Sequence, residues 1–264
     1  MEPDPTERFS SRVEDYIRYR PSYPEQILDW LGRECGLGPQ ARIADIGSGT
    51  GMLSGLLLRF GCQVAGVEPN ADMRAAAERL LAGERGFQSV DGRAEATTLA
   101  ARSVDFVTAG QAYHWFDPEA SRAEFRRILK PRGWVVLVWN ERLVTEGFLT
   151  GYEAMLHRVS QDYGRVDHRR IDAAEITRFF RHGAWRAASF PNQQDFDWTG
   201  LRGRLLSSSY APLPGSPRYR PMMEELAALF ATYQRAGRIR LLYETKVYAG
   251  RIGSDGESGL DPAP

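Results

Sequence analysis

Asp45-Ile-Gly47-Ser-Gly49-Thr-Gly51 follows the apolar run 42–46 and precedes Leu53, Leu56, Leu57 and Phe60, which share one helix face. Strand, glycine turn and helix in that order predict the opening of a βαβ unit, completed by a second strand over 63–67. In an open α/β sheet the ligand lies outside the carboxyl ends of the strands, where the strand order reverses. Glycines there permit positive φ and a close approach of ligand to backbone, and the helix start offers free amides. Glu68, 21 positions after Gly47 and just past the second strand, is placed to accept both hydroxyls of a ribose. Together these features predict an adenosine ligand. Met52 stands where a dinucleotide turn needs its last glycine, so the pyrophosphate fingerprint fails and a nicotinamide oxidoreductase is the weaker reading.

The alternation continues outward from this unit. Upstream, Pro24 opens a helix with Ile27, Leu28 and Leu31 on one face, running to about Cys35. Downstream, Asn70 caps a helix to about Leu81, strands follow at 87–90 and 104–108, and Asp117-Pro118 starts a helix that Lys130-Pro-Arg-Gly133 stops. Trp134-Val-Val-Leu-Val-Trp139 is a near-continuous apolar run, as in a strand covered on both faces. In the second half, helices are expected near 147–163, 172–182 (Asp172 its cap, Gly183 its stop), to 206 and 220–236, with extended stretches at 185–196 and 241–252. The fold class predicted is α/β: a doubly wound, mostly parallel sheet of seven strands with helices on both faces and an inserted helical lid. Residues 1–252 are expected to be one domain, 141–236 its lid and insertion region, and 253–264 a disordered tail rich in turn residues.

Composition narrows the partners. The 264 residues carry 34 basic and 34 acidic side chains, so no global field draws the chain to nucleic acid or an anionic membrane. No stretch approaches the ~20 apolar residues of a membrane span, and no signal sequence opens the chain, so a cytoplasmic protein is expected. Cys35 and Cys62 read as buried free thiols, and His157, His168 and His182 lack metal-ligand spacing, so no metal is expected.

With its glycine spacing and Glu68 in place, the sequence resembles the class I S-adenosylmethionine-dependent methyltransferases, whose first motif reads D-x-G-x-G-x-G with an acid ending the second strand. Gly92-Arg-Ala-Glu95 followed by Ser103-Val-Asp-Phe-Val107 resembles that family's adenine loop and fourth strand, with Arg93 where many members carry an acidic or small polar residue. Gln111-Ala-Tyr-His-Trp-Phe-Asp117 and the opening Phe9, Tyr16, Tyr19-Arg-Pro-Ser-Tyr-Pro24 resemble the type-11 branch that includes trans-aconitate methyltransferase-like proteins, over about residues 9 to 251. The resemblance implies S-adenosyl-L-methionine as cofactor, held by Tyr16, Arg20, Asp45, Gly47, Gly49, Gly51, Glu68, Met73, Ala94, Glu95 and Gln111.

It also implies methyl transfer to the oxygen, carboxylate or nitrogen of a small molecule, with Tyr19, Trp115, Trp139 and Tyr210 toward the substrate. In-line displacement at a sulfonium methyl asks the protein chiefly for positioning in a dry pocket, and aromatic faces at Tyr16, Tyr19, Tyr113, Trp115 and Phe116 suit a sulfonium. His114, the imidazole within a motif, is the candidate base for a hydroxyl or amine acceptor, or a substrate-orienting group. Arg20 suits the cofactor carboxylate or a substrate anion. A cofactor-binding pseudoenzyme that regulates a partner would keep the same glycines.

Overall fold

The computed structural model describes residues 13–160, 163, 173–181, 184–208 and 210–252. The expectations for Phe9, His168, Asp172, His182, Gly183 and the 253–264 tail lie outside them. Seven strands form one sheet: β1 (Arg42–Ile46), β2 (Gln63–Val67), β3 (Phe87–Val90), β4 (Val104–Gly110), β5 (Leu129–Arg142), β6 (Trp185–Phe196) and β7 (Ile239–Gly250). Their spatial order is β3-β2-β1-β4-β5-β7-β6, parallel from β3 through β5 and antiparallel at β7 and β6. The doubly wound sheet is therefore as expected. Its order reverses between β1 and β4, which puts the switch point at the glycine turn.

The helices described are α1 (Val13–Tyr19), α2 (Gln26–Cys35), α3 (Met52–Arg59), α4 (Ala71–Leu80), α5 (Pro118–Ile128), α6 (Phe148–Val159), α7 (Ala173–Phe180), α8 (Trp198–Leu206) and α9 (Tyr219–Tyr233). Alternation along the strands decides what each face packs. Ile43, Val64, Phe106, Val136 and Val138 meet α2 and α3 on one face, while Ala44, Val107, Ala109, Val135 and Leu137 meet α5 and α7 on the other. A third apolar cluster joins α6, α8 and α9 to the ends of β6 and β7 through Tyr152, Leu156, Leu201, Leu226 and Leu241. Thus α7 belongs to the sheet's own helical layer, and α6, α8 and α9 form the group added at the rim.

Asn70 caps α4 by accepting from the Met73 amide at 2.9 Å, and Asp117 caps α5 by accepting from Glu119 and Ala120 with Pro118 behind it. Three local readings need correction. Glu25, not Pro24, precedes the first residue of α2. Helix α5 ends at Ile128, and the Lys130–Gly133 stretch already lies within β5, where the register jumps from Val104–Leu129 to Phe106–Trp134 and Arg132 takes φ +68°. An irregularity at this point absorbs Pro131, which has no amide for the ladder. Helix α1 was not foreseen; none of its residues is buried, and its apolar stripe of Val13, Tyr16 and Ile17 is short.

Candidate functional site

Gly47, Gly49 and Gly51 all have positive φ, at +64°, +56° and +80°. Their surroundings separate their duties. A Cβ on Gly47 would lie 2.6 Å from the Ala112 Cβ, and one on Gly51 would lie 2.7 Å from Leu81, so these two glycines let the turn close onto its neighbours. A Cβ on Gly49 would meet no heavy atom within 4 Å. It would project into space left for a ligand.

The Gly49 amide donates to Glu68 Oε2 at 2.9 Å, and the Asn70 amide donates to Oε1 at 2.9 Å. Arg74 holds the Glu68 and Pro69 carbonyls, so the carboxylate is fixed on both sides. Burial raises the Glu68 carboxyl above its ordinary value, against the amides of Asn70 and Gly49 and the charge of Arg74. A turn whose central amide is already engaged by a carboxylate is poorly suited to a pyrophosphate. It suits a ligand with hydroxyls and no charge at that point.

Beneath the turn Asp45 is buried, with Oδ2 accepting from Ser54 Oγ at 2.6 Å and Oδ1 from Thr108 Oγ1 at 2.9 Å. Loss of hydration raises its pKa to about 6 despite those two hydrogen bonds.

Two adjoining cavities open here. One, of about 980 Å³, is lined by Glu68, Met73, Arg93, Ala94, Glu95 and Trp115 together with Gly47, Gly49 and Phe116. The other, of about 890 Å³, is lined by Asp45, Ser48, Thr50, Tyr23 and Asn140, and by three arginines, Arg20, Arg142 and Arg204, among Tyr163, Tyr210 and Tyr243. Tyr16, Gly47, Gly110 and Gln111 line both and form the passage between them. Gln111, at φ +56°, is held there by donation of its amide to Val138 and by acceptance from the Asn140 amide. Asn140 in turn donates to the Pro21 and Ser22 carbonyls, which fastens the 20–23 segment across the strand ends.

Most of the residues expected at the site are therefore brought together, with several in other duties. Gly51 lines neither cavity and packs α3 on α4 instead. Trp139 is 3% exposed and packs edge-on against Tyr113 and Tyr248, because strand period 2 turns it to the face opposite Val138 and Asn140. Tyr113 is core too. Tyr19 packs on Phe196 and Gly203 and lines neither cavity, while Trp115 lines the cavity of Glu68, not the arginine-rich one. His114 rests against the Trp115 ring at 4.8 Å and lines neither cavity. Arg20 is half-buried, its guanidinium 4.9 Å from the Tyr16 ring and its Nη2 donating to the Ser207 carbonyl.

Arg142, Arg204, Tyr163 and Tyr243 were not foreseen. They come from β5, α8, β7 and the 160–172 region, and an arginine or tyrosine in such segments reads as an ordinary amphipathic side chain.

The fold defines a doubly wound α/β protein with a two-part cleft at the switch point. Residues 44–137 match the family described as methyltransferase domain. An uncharacterised methyltransferase of Mycobacterium tuberculosis is 39% identical over 138 residues, 51% of this chain and 52% of that protein, so the match spans about half the length of each. An uncharacterised methyltransferase-like protein of Schizosaccharomyces pombe is 28% identical over 248 residues, 91% of this chain and 94% of that one. The fold recurs in a solved structure from Anabaena variabilis (TM-score 0.61, 22% identity, 88% of this chain and 98% of that one). It recurs also in the YcgJ protein of Bacillus subtilis (TM-score 0.56, 18% identity, 86% and 98%). Among the described residues no helix is long and apolar enough to cross a membrane.

Proposed function

We propose that this protein transfers a methyl group from S-adenosyl-L-methionine to a small-molecule acceptor. The observation that carries the reading is the Gly49–Glu68 arrangement, a carboxylate pinned by the turn's own amide in the wall of one of two adjoining cavities, the other lined by charged and phenolic groups. The match of residues 44–137 to the methyltransferase domain supports it. The cradle fits the cofactor: Glu68 would take the ribose hydroxyls, Met73, Ala94 and Glu95 would border the adenine, and Tyr16 and Gln111 would border the sulfonium. Arg20 and Asp45 offer opposite charges to the methionine carboxylate and amine.

When bound, the cofactor supplies a methyl carbon that accepts an electron pair from the acceptor while the carbon–sulfur pair passes to sulfur. The chain's own contribution is placement. Gly47 and Gly110 let the passage walls pack closely on Ala112 and Tyr23, Gln111 and Asn140 fix those walls, and the α6, α8 and α9 group would cover the acceptor side against water.

Glu68→Ala is expected to weaken S-adenosylmethionine binding by about 1.5–3 kcal/mol, the scale of hydrogen bonds to a charged group, or roughly 10- to 150-fold in calorimetry. Wild-type affinity in that variant, or a wild-type protein that binds NADH and no S-adenosylmethionine, overturns the assignment. Release of labelled methyl to a metabolite separates an enzyme from a pseudoenzyme. The lid role assigned to 141–236, of which β6 is a sheet strand, makes a second expectation. Hydrogen exchange in α6, α8 and α9 should slow at least threefold when cofactor and acceptor are both present, while β1 and β4 change little. Exchange that stays the same in those helices rejects the lid.

A further inference from the structure

The 890 Å³ cavity holds more positive charge than its own walls neutralise. Arg20, Arg142 and Arg204 line it with a single carboxylate, Asp45. Arg142 donates to Glu153 behind the wall at 2.5 Å and to the Tyr163 hydroxyl at 2.8 Å. Arg204 donates to the Tyr243 and Ser208 hydroxyls at 3.2 and 3.0 Å, and among the described residues no carboxylate pairs with it. The buried Nε atoms of Arg20 and Arg142 meet no hydrogen-bond acceptor among those residues. Such a cluster favours the anionic form of any group inside it that can lose a proton.

Five tyrosines stand in this wall, and their partners set them apart. The Tyr16 ring lies against the Arg20 guanidinium at 4.9 Å, in the passage shared with the other cavity. Burial, with Tyr16 and Asp45 beside it, raises Tyr23 well above its ordinary value. Tyr163 donates to Glu153 Oε2 at 2.8 Å, and burial likewise keeps it high although Arg142 opposes this. Tyr243 donates to Gln194 Oε1 at 3.0 Å.

Tyr210 differs from all of these. It is half-buried on the turn after α8, which is fixed by donation of the Ser208 amide to the Leu205 carbonyl at 3.1 Å and of the Ala211 amide to the Ser208 carbonyl at 3.0 Å. Its ring meets that of Tyr163 edge-on at 4.8 Å. Arg204 and Ser208 face it from its own segment, Arg142 from β5 with Glu153 behind, Arg20 from the end of α1, and the phenols of Tyr152 and Tyr163 from α6 and beyond. Withdrawal from water raises the phenol, yet Arg142, Arg204, the hydrogen bond with Ser208 and Arg20 together hold it below the ordinary 10.0.

Resting on the methyltransferase reading, we propose that Tyr210 is the general base of the transfer, its phenolate held among Arg20, Arg142 and Arg204 and placed to take the proton of a hydroxyl or amine acceptor. The acceptor atom gives an electron pair to the methyl carbon, and the carbon–sulfur pair leaves with sulfur. The bond between the acceptor atom and its hydrogen breaks, and the hydrogen joins the Tyr210 oxygen as a proton. The neutral phenol then returns that proton to water. A base works best when its pKa approaches the working pH, and the three guanidinium groups move this phenol in that direction. The ionised phenol also supplies the negative charge that Arg204 lacks.

Two measurements test this. In the protein free of cofactor, ultraviolet difference titration should show one tyrosine ionising at lower pH than the rest, and Tyr210→Phe should remove that step. With methyl-labelled S-adenosylmethionine and a small-molecule cell extract as the acceptor pool, the wild-type rate should rise about tenfold per pH unit and level off before about pH 10. Tyr210→Phe should lower the rate at neutral pH roughly 100-fold or more and flatten that rise, while calorimetry shows S-adenosylmethionine affinity within about threefold of wild type. The labelled product should survive mild alkali, because an alkali-labile methyl ester comes from a carboxylate that had no proton to give. Absence of the early phenolate step, its persistence in Tyr210→Phe, an undiminished rate or an unchanged pH profile in that variant, or an alkali-labile product overturns the inference. If Tyr210→Phe does not fold, the wild-type titration and the product's stability in alkali decide. Failure of the underlying reading is seen separately, as a wild-type protein that binds no S-adenosylmethionine or transfers no label, and it takes the inference with it.

Discussion

Gly49→Val is expected to lower affinity for S-adenosylmethionine at least 100-fold, about 2.7 kcal/mol, while far-ultraviolet dichroism remains that of the folded protein. Gly49 has φ +56°, so any side chain pays the left-handed strain of about 1–2 kcal/mol, and the protein should lose roughly that much stability. The larger effect is on the ligand. Nothing lies within 4 Å of the added Cβ, so the valine methyls extend into the cleft, where no protein atom opposes them and the cofactor must pass. Gly47 and Gly51 do not provide this separation, because their Cβ atoms would strike Ala112 and Leu81 and disturb the packing itself. Calorimetry on Gly49→Val with affinity within tenfold of wild type would make the turn merely structural.

Asp45→Asn is expected to gain stability relative to wild type by about 3 kcal/mol between pH 3 and pH 7. In the folded protein the Asp45 pKa is raised from an ordinary 3.8 to about 6, with burial the leading cause. The protonated form therefore favours folding below pH 4, and this contribution is lost as pH rises through 6. At 1.36 kcal/mol per unit the loss is about 3 kcal/mol by pH 7, and asparagine cannot undergo it. Comparing the variant with wild type at each pH cancels the other titrating groups, among them Glu124, which Arg127 holds down at about 2. Urea unfolding at the two pH values measures the difference, and a change under 1 kcal/mol would mean that Asp45 is not desolvated as its position implies.

Both predictions turn on residues that were legible before the fold was known. Asp45, Gly49 and Glu68 stand at the end of one strand, in one turn and at the end of the next strand, so local sequence order alone brings them to the switch point. Met73, Ala94, Glu95, Gln111 and Trp115 follow because each lies just past a strand end or at a helix start along the same rim. The strand that was misjudged in length, β5, was so because Pro131 and Gly133 read as punctuation, whereas an irregular ladder accommodates them.

The sequence by itself determined the alternation of strands and helices, the switch point and the half of the cleft around Glu68, since each depends on hydrophobic period, glycine spacing and residues near one another in the chain. Only the tertiary structure decided the arginine-lined half. Tyr19 and Trp139 left the rim because a neighbour, Gly203 in one case and Tyr113 in the other, offered an apolar contact that no local pattern encodes. Arg20, Arg142 and Arg204 lie in three separate segments, up to 184 positions apart, and their convergence depends on how α6 and α8 pack over the end of the sheet. A buried guanidinium is spelled like an exposed one; its meaning comes from the charges and the water that the fold removes from around it.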